Sequence, residues 1–257
     1  MDLVIFDNII KFFLVLVRVS GFFITVPVLG SASVPTTTKI SLALMVSFLI
    51  FPTLNLSLFY VPEAALALGG IILLELTLGV LLGFITMIIT EGFRLAGQVT
   101  GIQLGFGMIS VLDPESQIQE SLMDVFFFFV FVLIFLALDY HQKFIIAMSE
   151  SFELLPVGSL LFPQALLEDI IFKVSTSFVI GIKLSFPLLA PGVVIIVILG
   201  IISKTVPRME VFLISFPLKI FLGFLMIYIL LPLMPPFTEV LMDDLFEWVY
   251  SIMRMMQ

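Results

Sequence analysis

Val125 to Leu138 reads VFFFFVFVLIFLAL, an unbroken apolar run with no charge, glycine or proline in it. It does not alternate between apolar and polar residues, as the strands of a membrane β-barrel would. Segments of the same kind recur outward from it, at roughly 9–29, 38–59, 66–90, 120–138, 172–202 and 211–231. Ile40–Pro62, Leu184–Ser203 and Ile220–Thr238 carry no charge at all, over about the 20 residues that cross a hydrocarbon core. Of the 257 residues 61% are hydrophobic and 12% charged, against about 45–50% and about 25% in a soluble domain. The mean hydropathy is +1.29. Backbone in lipid must satisfy its own hydrogen bonds, so non-alternating spans are helices. The expected fold is an all-α integral membrane protein of about six long hydrophobic segments, some of them kinked or broken hairpins.

The same composition excludes several functions. A net charge of −8 speaks against nucleic-acid binding, which needs a basic patch. Without cysteine there is no disulfide, thiolate metal site or cysteine nucleophile. No phosphate-binding loop, zinc-protease or nucleophile-elbow motif occurs. No enzyme activity, cofactor or metal is expected, and His141 reads as a loop residue. The N-terminal MDLVIFDNIIKFFLVLV has acids where a signal peptide has bases, and reads as the start of a retained first helix.

Arg94 to Gln117, RLAGQVTGIQLGFGMISVLDPESQ, interrupts the apolar pattern just before the run that opened this reading. If Arg94 to Leu104 is helical, Gly97, Gly101 and Gly105 share one smooth face for close backbone contact, with Gln98 beside it. Gly105, Phe106 and Gly107 permit sharp turns. Met108, Ile109, Val111 and Leu112 follow, and Asp113-Pro114 closes with a turn. Non-helical backbone at membrane depth must line a cavity or be buried in protein. The region 91–120 is therefore expected to be re-entrant, able to fill a hole as a gate or gasket.

Charges also stand where lipid is expected. An ionised side chain at mid-bilayer costs about 2.5–3.5 kcal/mol, so it pairs, snorkels or faces water. Lys11 and Lys173 lie near segment ends and snorkel. Arg18, Glu75, Lys183 and Lys219 lie deeper and call for pairing. Gly79 and Gly83 follow Glu75 on its own face, so a neighbouring helix is expected to approach closely. The expected partner of Glu75 is one of the buried lysines, in this chain or in a partner. Pro187, Pro191 and Gly192 in the fifth segment predict a kink or break, and Pro217 repeats the feature in the sixth. The stretch 237–257 is an amphipathic helix, with Leu241, Leu245, Trp248, Val249, Ile252 and Met256 on one face. It is expected to lie on the membrane surface or, given its acidic polar face, to dock on a protein partner.

AGQVTGIQLGFG with its following DP, ELTLGVLLGF, PVLGSASVPTTTKISLALMVSFLIFP and VPRMEVFLISFPLKIFLG resemble the FliR family of type III secretion export membrane proteins. The likeness runs over nearly the whole chain. It implies a FliP-like part fused to a FliQ-like part, and a helical export gate made with FliP and FliQ. FlhB packs around the cytoplasmic mouth of such a gate and FlhA lies nearby, in the flagellar basal body at the bacterial inner membrane. Unfolded flagellin, rod and hook subunits pass through it. The resemblance places the family's plug loop on Phe106 to about Gln117, and implies that Glu75, Lys183 and Lys219 pair at subunit contacts. ALDYHQKFIIAMSESFELLPVG resembles the flagellar rather than the injectisome version. An injectisome export subunit is the first alternative and a stand-alone small-molecule transporter the second, for which paired broken helices in two halves are not evident.

Overall fold

The computed structural model describes residues 2–27, 30, 34–55, 59, 61–62, 64–105, 121–159, 163–205 and 211–257. Among these the chain is helical, without strands. The helices are α1 (Asp2–Thr25), α2 (Thr36–Ile50), α3 (Ala65–Leu104), α4 (Leu122–Ala137), α5 (Tyr140–Leu154), α6 (Gln164–Thr205), α7 (Val211–Leu230) and α8 (Met234–Met255). Short 3₁₀ turns follow α2 and α7, each around a proline. Among the described residues five helical segments are long and apolar enough to cross a membrane, or six if α4 and α5 count as one bent span.

Helix ends depart from the apolar runs. The expected spans 66–90 and 172–202 are parts of longer rods, α3 of 40 residues and α6 of 42. At about 1.5 Å per residue these are roughly 60 and 63 Å long, about twice a 30 Å hydrocarbon core. Half-polar Arg94–Leu104 continues α3 because a helix needs only consecutive backbone bonds, not apolar side chains. It stops at Gly105, whose φ of +88° lies in the left-handed region that ends helices. Of the kink or break expected at Pro187 and Pro191, a break is absent: both lie inside the continuous α6. Each proline removes one backbone bond, and neighbouring groups in a bundle can take up the freed carbonyl. The sharp bend falls instead between α4 and α5, which meet at 70°. Asp139 makes that turn with φ 58°. His141 is therefore on the first turn of α5, not in a loop.

The chain divides into two compact units. One comprises residues 1–88, 136–173 and 242–257 and the other 89–135 and 174–241. In the first, α1 and α3 meet backbone to backbone. A Cβ on Gly79 would lie 2.0 Å from the Arg18 carbonyl oxygen, and one on Gly83 would lie 2.7 Å from that of Phe22. Leu14, Val15, Val19, Leu78 and Ile85 fill the core around this contact. The C-terminal part of α8 also packs here, with Leu245, Trp248, Val249, Ile252 and Met256 buried. Phe246 stacks on Tyr140 and meets Phe144 of α5. The face expected to lie on a membrane or a partner is thus covered by the chain itself; amphipathicity demands a cover without naming it.

In the second unit the C-terminal part of α3 is the common neighbour. Its Phe93 ring lies 4.9 Å from Phe131 of α4. Its Gly97 faces the backbone of Met123 and Asp124, and Gly101 faces the Ser121 side chain. Gly92 approaches Ser177 and Ile180 of α6, and Leu104 lies against Gly223 of α7.

Gly79→Leu forces backbone apart and should destabilise the fold by about 1–3 kcal/mol or more, read as lower accumulation and a lower melting temperature in detergent. Gly69→Leu is the control, since nothing lies within 4 Å of a Cβ there; it should leave both unchanged.

Candidate functional site

Arg18 has no exposed surface and Glu75 is 2% exposed. Arg18 Nε donates to Glu75 Oε2 at 2.6 Å. One terminal nitrogen donates to the Ser151 carbonyl at 2.9 Å and lies 3.3 Å from the Ser151 hydroxyl. The other donates to the Leu155 carbonyl at 2.9 Å. The guanidinium carbon sits 4.0 Å above the Phe152 ring. The remaining carboxylate oxygen, Glu75 Oε1, accepts from the Gly158 backbone N–H at 3.2 Å. A planar, multi-donor cation thus joins α1, α3, α5 and the segment after α5. Burial strengthens each bond, and makes any lost partner costly.

The partner of Glu75 is therefore Arg18 and not a lysine. The guanidinium spreads its donors over three acceptor groups at once, which an ammonium on a flexible stem does not match. The sequence held a signal for this choice. Gly21 follows Arg18 by three residues as Gly79 follows Glu75 by four, so both charges border small residues where two backbones can touch. Ser151, Phe152, Leu155 and Gly158 carry no such signal in the sequence, because all four contacts use a backbone atom or a ring.

The second unit holds the stem of the expected plug. Gly97, Gly101 and Gly105 lie on α3 and its end, against α4 and Phe216 of α7. Gln98 Nε2 donates to Asp124 Oδ2 at 3.3 Å, and Asp124 is 2% exposed. Arg94 lies 3.9 Å from Glu91 and over the Phe128 ring. Phe106, Gly107, Met108, Ile109, Val111, Leu112, Asp113 and Pro114 lie outside the described residues.

Lys183 and Lys219 do not share the Arg18 arrangement. Lys183 is exposed on α6, and Lys219 is half-buried on α7 beside a small cavity lined by Gln103, Leu188, Pro191, Gly192 and Leu222. Among the described residues neither forms an ion pair. Polar contacts that sequence reasoning missed fasten α8 in the first unit. Tyr140 donates to Asp243 at 2.9 Å and Lys143 lies 3.2 Å from the same oxygen. Trp248 donates to Asp169, with Lys173 over the indole.

The sequence model of the family described as Bacterial export proteins, family 1, matches residues 9–245. The flagellar biosynthetic protein FliR of Buchnera aphidicola subsp. Acyrthosiphon pisum is 29% identical over 241 residues, covering 91% of this chain and 90% of its own. FliR of Escherichia coli is 27% identical over 241 residues, covering 94% and 92%. FliR of Bacillus subtilis is 28% identical over 231 residues, covering 88% and 87%.

Removing one member of the buried pair tests what it contributes. Arg18→Leu leaves a buried carboxylate unpaired and should cost about 3–5 kcal/mol of stability in detergent. Arg18→Leu with Glu75→Leu removes both charges and should recover part of that loss. A double variant no better than Arg18→Leu would show that the Ser151 and Leu155 carbonyls, not the ion pair, dominate.

Proposed function

The chain belongs to the bacterial export proteins, family 1, and from that premise we propose that it is a non-enzymatic structural subunit of the flagellar type III protein export gate. The observation that carries this reading is the reach of the likeness: the family match runs from residue 9 to residue 245. The FliR relatives are matched over nearly their full length as well. In this reading the protein sits in the bacterial inner membrane at the flagellar basal body. It assembles with FliP and FliQ into the channel through which unfolded axial proteins leave the cell, with FlhB and FlhA as neighbours.

The distribution of burial supports a subunit rather than a self-contained bundle. The most apolar window of α3 is 50% buried, but those of α6 and of the α7–α8 segment are 28% and 11% buried. Helices covered so little by their own chain need lipid or other subunits. The segment Gly105–Pro114 is the plug of the closed channel in this proposal, rising from a stem that Gly97 and Gly101 hold against α4. Its stretch Phe106–Leu112, which holds no charged residue, suits that role because it can fill a hollow without bringing charge into it.

Two measurements test the proposal. Extracted in mild detergent, the protein should co-purify with FliP and FliQ; a monomer that transports a solute by itself would overturn the reading. Deleting Gly105–Pro114 should leave assembly intact and raise ion leakage through the closed channel. Leakage at the wild-type level would remove the plug role.

A further inference from the structure

The last turn of α3, directly before the proposed plug, is seated on both α6 and α7. A Cβ added to Gly192 of α6 would lie 2.9 Å from Gln103 Cγ, and one added to Gly223 of α7 would lie 2.8 Å from Leu104 Cδ1. Both are closer than a Cβ packs in proteins, so two glycines form the seats of two consecutive side chains. Leu104 is buried in its seat. Gly105 follows against the Phe216 ring, with the left-handed backbone that ends the helix. The segment Gly105–Pro114 thus starts immediately beyond the two seated residues.

The two seats differ in what they hold. Leucine against glycine is an apolar contact. Gln103 Nε2, by contrast, is buried and meets no acceptor. The crevice beside it is lined by Leu188, Pro191, Ile195 and Leu222, whose side chains accept nothing, and by Lys219, whose ammonium only donates. A buried donor without a partner costs free energy, which it recovers on reaching an acceptor. In a contact that never opens, an apolar side chain of similar size would fill the seat without this cost. The end of α3 is held by packing and loosened by one amide, a balance suited to a contact that has to release.

We infer that Gln103 and Leu104 clasp the root of the plug: with both seated at Gly192 and Gly223 the channel is shut, and the last turn of α3 leaves these seats when it opens. The inference rests on the plug reading above and adds the contact that controls it. A plug that swung about Gly105 alone would leave the seats filled, and the experiment separates the two.

The chain has no cysteine, so Gln103→Cys with Gly192→Cys introduces a single pair. The Cβ of residue 103 is one carbon–carbon bond, about 1.5 Å, from the Cγ position. It is therefore at most about 4.4 Å from a Cβ at residue 192, inside the roughly 3.5–4.5 Å that a disulfide needs. In the full complex in its native membrane, oxidising the pair should cut export of axial proteins about tenfold or more. Closed-channel leakage should stay at the wild-type level, a reductant should restore export, and neither single variant should respond. Gln103→Met fills the seat without an unpartnered donor and should lower export about fivefold or more. Gly192→Leu pushes the turn out of its seat and should raise leakage. Unchanged export from the cross-linked protein, a pair that does not cross-link in the closed channel, or unchanged export in Gln103→Met would overturn the inference. The Gln103→Met result is decisive by itself if the other variants do not accumulate. Leakage after deletion of Gly105–Pro114 reports the plug reading separately. If that deletion leaks while the cross-linked protein exports normally, the clasp falls and the plug stands.

Discussion

An arginine with no exposed surface has to place all its donors on the protein, and its charge has to meet an opposite one at contact distance. Arg18 does both, and the requirements shape the surrounding unit. For Nε to reach 2.6 Å from Glu75, α1 and α3 must approach until their backbones touch. Gly21, Gly79 and Gly83 make that approach possible. For the terminal nitrogens to be satisfied, the last turn of α5 must deliver the Ser151 and Leu155 carbonyls. The Ser151 carbonyl also accepts the Leu155 N–H that closes α5, so the cation is bound where that helix ends. Gly158 completes the ring through Glu75 Oε1, and its φ of +83° is one that other residues rarely adopt. Sequence-distant pieces are thereby tied through one charge.

The parts of this that the sequence made legible are those governed by composition. Runs such as Val125–Leu138 announce membrane helices because burying apolar groups in lipid depends on little else. The glycine faces were legible too, since spacing alone decides which residues share a side. Helix ends were not, because α3 continues through Arg94, Gln98 and Gln103 at no cost in backbone bonding. Nor was the bend at Asp139, a residue that tolerates left-handed backbone but rarely demands it. Pro187 and Pro191 do not interrupt α6: the propensity of a proline to break a helix is local, and a bundle can override it. For Glu75 the sequence named a charge that needed a partner, but choosing among Arg18, Lys183 and Lys219 required knowing which helices meet.

The two units treat their buried or membrane-depth charges differently, and the contrast bears on function. In the first, Arg18, Glu75, Asp169 and Lys173 find partners within the unit. In the second, Gln98 and Asp124 are paired, but Lys183 is offered outward. A chain that worked alone in lipid would have reason to satisfy or delete that ammonium, since its desolvation is expensive. A chain whose second unit is completed by neighbours keeps it without penalty once they arrive. The first unit thus pairs its buried Arg18 and Glu75 internally, while the second leaves Lys183 exposed.

Helix length pushes the same conclusion further. Exposed apolar side chains on α6 extend from Leu167 to Ile201, a rise of roughly 51 Å at about 1.5 Å per residue. A hydrocarbon core is about 30 Å thick. Tilting the helix by about 40°, the upper end of the usual range, shortens its projection only to roughly 39 Å. Lipid tails then cannot cover the whole stripe, whatever the depth at which α6 is placed. The uncovered remainder would present leucine, isoleucine and valine to water or headgroups, a loss that grows at about 25 cal/mol for each Å² left bare. In the export-gate reading proposed above, neighbouring subunits supply the cover that lipid tails do not reach.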